Sequence, residues 1–97
     1  MRKNTQLLVT SEMTQSIFTA EYQFLKDFLR AERMKKRLSQ RKLSAMLGKV
    51  SSFVGKYELG ERRLDIVELA EVANILDFDD YELFKEIRRL NKKRNKK

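Results

Sequence analysis

The chain has 97 residues, 41% of them apolar and 37% charged, with a net charge of +8 and neither cysteine nor histidine. That length supports one domain around one modest core, and the missing residue types exclude disulfides, thiolate or imidazole metal sites, histidine general bases and cysteine nucleophiles. No apolar run approaches the roughly 18 residues of a membrane-spanning helix, and residues 1–25 lack the apolar segment and cleavage site of a signal peptide, so a cytoplasmic, non-enzymatic protein without metal or cofactor is expected.

Residues 1–18 are expected to form an N-terminal extension. Within it Thr5 to Thr10 could pair as a short strand, but a polar start without helical period is more often frayed, and Met13 competes with Met1 as the natural start. From Ala20 to Arg37 there is no Gly or Pro, and Tyr22, Leu25, Leu29 and Met34 recur at helical spacing, which predicts a first helix with Thr19 as N-cap and Glu21 in its first turn. Ser39 is a second N-cap, followed by Leu43 and Leu47 four apart and by Gly48 as terminator, giving a second helix of about eight residues. A third short helix is predicted from about Ser51 to Glu58, with Val54 and Tyr57 inward and Gly60 closing it. Asp65 and Glu68 form a capping-box start for a fourth helix with Ile66, Leu69, Val72, Ala73 and Leu76 as its apolar stripe. Asp77 to Asp80 interrupt the pattern, with Asp79 and Asp80 read as a helix cap rather than a metal or acid-base pair. Leu83, Phe84, Ile87 and Leu90 then resume the pattern on a fifth helix running out into the basic tail, residues 91–97. The expected core is Leu25, Leu29, Leu43, Leu47, Val54, Leu69, Val72 and Leu76.

Charge follows these divisions. Residues 1–25 sum to zero, residues 26–63 carry twelve Lys or Arg against four Asp or Glu, and residues 65–82 carry seven acidic groups and no basic one. Residues 83–97 return eight basic groups against one acidic. A polyanion is expected to meet 26–63, and Lys92 to Lys97 form either a solvated tail or a phosphate-contacting arm.

The turn at Gly48 joins two short helices, and Leu43, Leu47 and Val54 clamp them at a fixed angle, so that the third projects and can enter a major groove while the second lies across the backbone. The stretch Leu38-Ser39-Gln40, Leu43, Leu47-Gly48, then Val54, Tyr57-Glu58 and Gly60, followed by an apolar fourth helix, resembles the Cro/C1-type repressor family, also called the XRE family, over about residues 20–90. Ser16 to Tyr22, Ser52-Phe53-Val54 and Gly60 to Asp65 are similar to a bacterial and prophage subgroup. This chain departs from that subgroup, which commonly has Pro at the position of Val50, Gln at Ser51 and Ser at Gly55.

The resemblance implies an all-α, five-helix, lambda-repressor-like domain over residues 19–90, with helices 2 and 3 as the helix-turn-helix. It also implies that Gln40 bonds a phosphate at the start of helix 2, that Ser51, Ser52, Gly55 and Lys56 read bases, and that Arg33 and Glu58 form a structural ion pair. Arg41, Lys42, Lys49, Arg62 and Arg63 are expected to neutralise phosphates. A single module of this size buries little surface on DNA, so a homodimer is expected, with Phe78, Tyr81, Phe84 and Ile87 at its interface. The function expected is a sequence-specific transcriptional repressor on an inverted repeat. The alternative is an antitoxin or accessory subunit that holds a toxin as protein partner and autoregulates through the same fold.

Overall fold

The computed structural model describes residues 19–95, and the expectations placed on residues 1–18 and on Lys96 and Lys97 lie outside them. Five helices follow in order: α1 (Ala20–Lys35), α2 (Gln40–Met46), α3 (Phe53–Leu59), α4 (Ile66–Leu76) and α5 (Asp80–Arg94). There is no strand among the described residues, so the all-α, five-helix expectation holds.

Each helix begins where a short polar side chain satisfies free backbone N–H groups. The hydroxyls of Thr19 and Ser39 accept from the amides of Tyr22 and Lys42. Asp65 and Glu68 make the reciprocal capping box of α4, and Asp79 accepts from the amides of Tyr81 and Glu82. Helix α3 is the exception. It starts at Phe53, two residues later than the periodicity predicts, because the amide of Phe53 bonds the carbonyl of Val50 and closes a turn holding Ser51 and Ser52; Ser52, at φ −90° and ψ 0°, makes no side-chain cap bond.

Three of the helix ends share one device. Gly48 and Gly60 adopt left-handed φ of 72° and 85°, and the residue after each bonds a carbonyl five residues back: Lys49 to Ser44 and Glu61 to Lys56. Both follow the Schellman pattern expected of a glycine past a helix end. Helix α1 ends the same way, two residues before the predicted Arg37, with Arg37 itself at φ 58° and Leu38 bonded back to Arg33. A non-glycine residue there costs about 1–2 kcal/mol, offset because the reversal brings Leu38 onto the core.

Helix α1 packs on α3 and α5, and α2 packs on α3. The buried core comprises Leu25, Leu29, Leu43, Phe53, Val54, Tyr57, Val72, Leu76 and Leu83. Leu47 and Leu69, expected in the core, are half-buried against it. Three stripe residues fall outside: Met34 is 56% exposed, since α1 turns away immediately after it, Ile66 is 76% exposed at the first position of α4, and Phe84 is 62% exposed on α5. Phe53 was not expected inside. Its ring packs edge-on against Tyr57 at 5.6 Å.

Helix α5 does not stop at the start of the basic tail but continues to Arg94, and its end is fastened to the start of α1. Arg94 and Asn91 donate to the Glu21 carboxylate at 2.8–3.0 Å. The Arg94 hydrogen bond, helped by Asn91, holds the Glu21 carboxyl at about 2, below its usual 4.5. The stability this contributes is therefore complete above pH 4.5 and lost as the pH falls towards 2. Glu21→Gln is expected to melt below the wild type at pH 7, with the gap in Tm closing across that window; a gap that persists at pH 2 would assign the effect to something other than the charged pair.

Candidate nucleic-acid interface

The geometry of α2 and α3 is set from inside. Ser44, fully buried on α2, accepts a hydrogen bond from the amide of Val54 at 3.1 Å, so the second turn of one helix is tied to the first turn of the other. The amides at the start of α3 have no side-chain cap of their own, and this bond satisfies one of them from across the turn. Leu43 and Val54, both at 0% exposure, fill the space between the helices. The sequence reading missed Ser44; a serine four residues before Gly48 carries no local sign of burial.

A second tie fixes α3 to α1. Arg33 Nε and Nη2 donate to the two Glu58 carboxylate oxygens at 2.7 and 3.0 Å, and Nη1 donates to the Leu38 carbonyl at 2.8 Å. Glu58 is 4% exposed at its side chain, and the hydrogen bond to it raises the Arg33 pKa further above its usual value. The same Glu58 oxygen that receives Arg33 Nη2 also accepts the Gln40 amide N–H at 2.9 Å, so the phosphate-binding candidate at the start of α2 is held by the ion pair.

The four expected base readers are not equivalent. Ser51 and Ser52 are exposed but precede α3 rather than lying on its outer face, which corrects their expected helical placement. Gly55 is half-buried on α3, and the position its Cβ would take is 3.2 Å from Gln40 Oε1, so it faces Gln40 rather than open solvent. Lys56 alone is both helical and exposed. Val50, 71% exposed in the turn entering α3, is an apolar neighbour that the sequence reading did not select.

The expected phosphate-binding cations divide in two. Arg62 makes a bidentate pair with Glu68 at 2.7–2.8 Å, and Lys49 lies 3.8 Å from Glu71. Both also lie over the Phe53 ring, at 5.0 and 5.6 Å from its centroid. Arg41, Lys42, Lys56 and Arg63 have no carboxylate partner among the described residues and are exposed. Tyr22 braces the loop that carries Arg62 and Arg63: its hydroxyl accepts from the Leu64 amide at 3.0 Å and donates to the Arg62 carbonyl at 3.4 Å. No group of three or more His, Cys, Asp or Glu side chains suited to a metal occurs among the described residues.

The expected dimer residues also separate. Tyr81 and Phe84 are 69% and 62% exposed, whereas Phe78 is half-buried with its ring edge-on to Phe28 at 5.1 Å, and Ile87 is half-buried against the core. Phe78 therefore belongs chiefly to the fold of its own chain. Tyr81 is further covered by Lys85, whose ammonium lies 5.5 Å from the ring centroid.

Ser44→Ala removes the acceptor for a buried amide without changing the apolar packing. It is expected to lower unfolding free energy by about 1–3 kcal/mol, measurable by denaturant titration, and to accelerate hydrogen exchange at Val54; an unchanged midpoint would show that the tie contributes nothing.

A helix-turn-helix family model matches residues 29–83, which spans α2, the turn, α3 and α4. A solved XRE-family like protein from Pseudomonas syringae pv. tomato str. DC3000 is 36% identical, with a TM-score of 0.67 over 79% of this chain and 96% of that one. No curated protein matches the chain. No helix among the described residues is long and apolar enough to cross a membrane. With the buried α2–α3 tie, the left-handed Gly48 between those helices and the family match over both, the chain belongs to the XRE family of helix-turn-helix DNA-binding transcription regulators.

Proposed function

We propose that this chain is a cytoplasmic, sequence-specific repressor that places α3 in the major groove of an inverted-repeat operator and acts as a homodimer. The observation that carries this reading is the division of cations around the α2–α3 unit: Arg41, Lys42, Lys56 and Arg63 are exposed without a described carboxylate partner, as phosphate or base contacts require. Gln40, Arg41 and Lys42 at the start of α2 position the backbone, joined by Arg63 from the α3–α4 loop. Lys49 and Arg62 join them when a phosphate competes with Glu71 and Glu68 for their charge. Lys56 reaches guanine O6 or N7, a contact worth about 1–3 kcal/mol against a wrong base. Ser51 and Ser52 read from the turn ahead of α3, and Val50 offers an apolar contact suited to a thymine methyl group.

Selection from a pool of random duplexes across a salt series tests base reading. The wild type is expected to enrich an inverted repeat with half-sites about one helical turn apart, and a Ser51, Ser52 and Lys56 triple alanine variant is expected to keep its salt dependence while losing the enrichment. Equal, unenriched binding by both proteins would refute readout from this segment.

Dimerisation is placed on α5 and the groove beside it. Phe84 and Ile87 border an apolar cleft of about 300 Å³ between α4 and α5 that also includes Ile66, Leu69 and Ala70. Exposed Tyr81 and Phe84 are large apolar groups that a second copy would cover. Phe84→Asp is expected to yield a monomer in sedimentation equilibrium, with retained half-site binding and a loss of about tenfold or more on the inverted repeat, as removal of paired binding predicts. A variant that stays dimeric moves the interface elsewhere.

A further inference from the structure

Glycine inside a helix is unfavourable relative to alanine, because it surrenders more backbone freedom on folding. Gly55 nonetheless occupies the third residue of α3, in ordinary helical backbone that any residue could adopt. Its neighbourhood supplies a reason. The Gln40 carboxamide reaches from the first residue of α2 across to α3, donates one N–H to Glu58 Oε1 at 2.9 Å, and sets its oxygen 3.2 Å from where a Gly55 Cβ would stand. The carbon of the same amide is 3.7 Å from that point. An alanine there would press on the amide closely enough to require a shift of a few tenths of an ångström. The amide has little freedom to give, because Glu58 is itself locked by two bonds from Arg33.

Resting on the DNA-binding reading above, we propose that Gly55 is a positioning residue whose bare backbone seats the Gln40 amide, so that Glu58 holds one amide N–H and the other is aimed outward to a DNA phosphate. The carboxamide nitrogen has two N–H groups, and Glu58 takes one. Gln40 remains exposed, so the second is accessible. A glutamine left free would have to surrender its rotamer freedom on meeting DNA; one already fixed by Glu58 and Gly55 surrenders less. Gly55 then contributes to affinity without touching a base, through the orientation of a side chain on the neighbouring helix.

The test compares wild type, Gly55→Ala, Gln40→Ala and the double variant on the selected operator and on random duplex DNA. Gly55→Ala is expected to weaken binding to both DNAs by the same factor, about three- to tenfold as for one hydrogen bond. Because the Gln40 amide is neutral and neither substitution changes a charge, the salt slope should stay that of the wild type in both variants. The double variant should bind no more weakly than Gln40→Ala alone. The Tm of Gly55→Ala should be no lower than wild type, which separates the loss from misfolding. In the free protein, the Gln40 side-chain amide resonances should shift on Gly55→Ala, a readout that needs no DNA. Losses that multiply in the double variant would show independent roles, and a loss confined to the operator would place position 55 against a base; either overturns the proposal. If the wild type binds DNA and Gly55→Ala matches it, only the positioning role falls. If the wild type binds neither duplex, the DNA-binding reading falls and takes the positioning role with it.

Discussion

The bidentate pair between Arg33 and Glu58 connects more of this molecule than any other contact. Arg33 belongs to the last turn of α1, Leu38 to the turn that follows, Gln40 to the start of α2 and Glu58 to the end of α3, and all four meet at one guanidinium and one carboxylate. A buried ion pair is a weak source of net stability, since the charges lose hydration that their attraction barely restores. Its value here is directional. The guanidinium fork fits a carboxylate in one plane only, so α3 is fixed in rotation relative to α1, and the face that α3 presents outward is decided by a contact on the opposite side.

Much of the fold was legible because local rules and packing agree. The serine and aspartate caps, the capping box and the two terminating glycines lie where the sequence reading placed them, since each is a short-range device within four or five residues. The misplacements have physical causes. Arg37 and Asp77 take left-handed φ of 58° and 54° without a glycine to announce it, so the end of α1 was read two residues late. Helical spacing put Met34 and Ile66 on apolar faces, but both sit at helix ends where no neighbouring helix covers them. The start of α3 was read early because serines are common caps, whereas here the cap geometry comes from a backbone turn and from Ser44 on another helix.

The candidate site was legible as a list of residue types and illegible as a charge distribution. Counting cations in residues 26–63 treats each as available, yet Arg33 is buried in its pair, Lys35 is held by Glu32, and Arg62 and Lys49 face carboxylates of α4. The acidic block on α4 therefore works partly from within the fold, drawing two cations over the Phe53 ring and bracing the residue from which α3 begins. Apart from the i,i+3 pair of Lys35 with Glu32, these join positions six to twenty-five residues apart, beyond the reach of helical periodicity. Gly55 is the converse case: its unusual residue type was visible at once, but its meaning depended on where the end of a glutamine side chain came to rest.

The bond from Arg94 to Glu21 closes a loop of 73 residues around every other helix. Closing a loop costs entropy that grows with its length, and the two groups cannot meet until α1 and α5 are already packed together. It is therefore a contact that registers completion. Its formation belongs late in folding, its rupture is an early event in unfolding from the ends, and the last turn of α5 is a natural place for the domain to begin to fray while the α2–α3 unit, tied from within, stays intact.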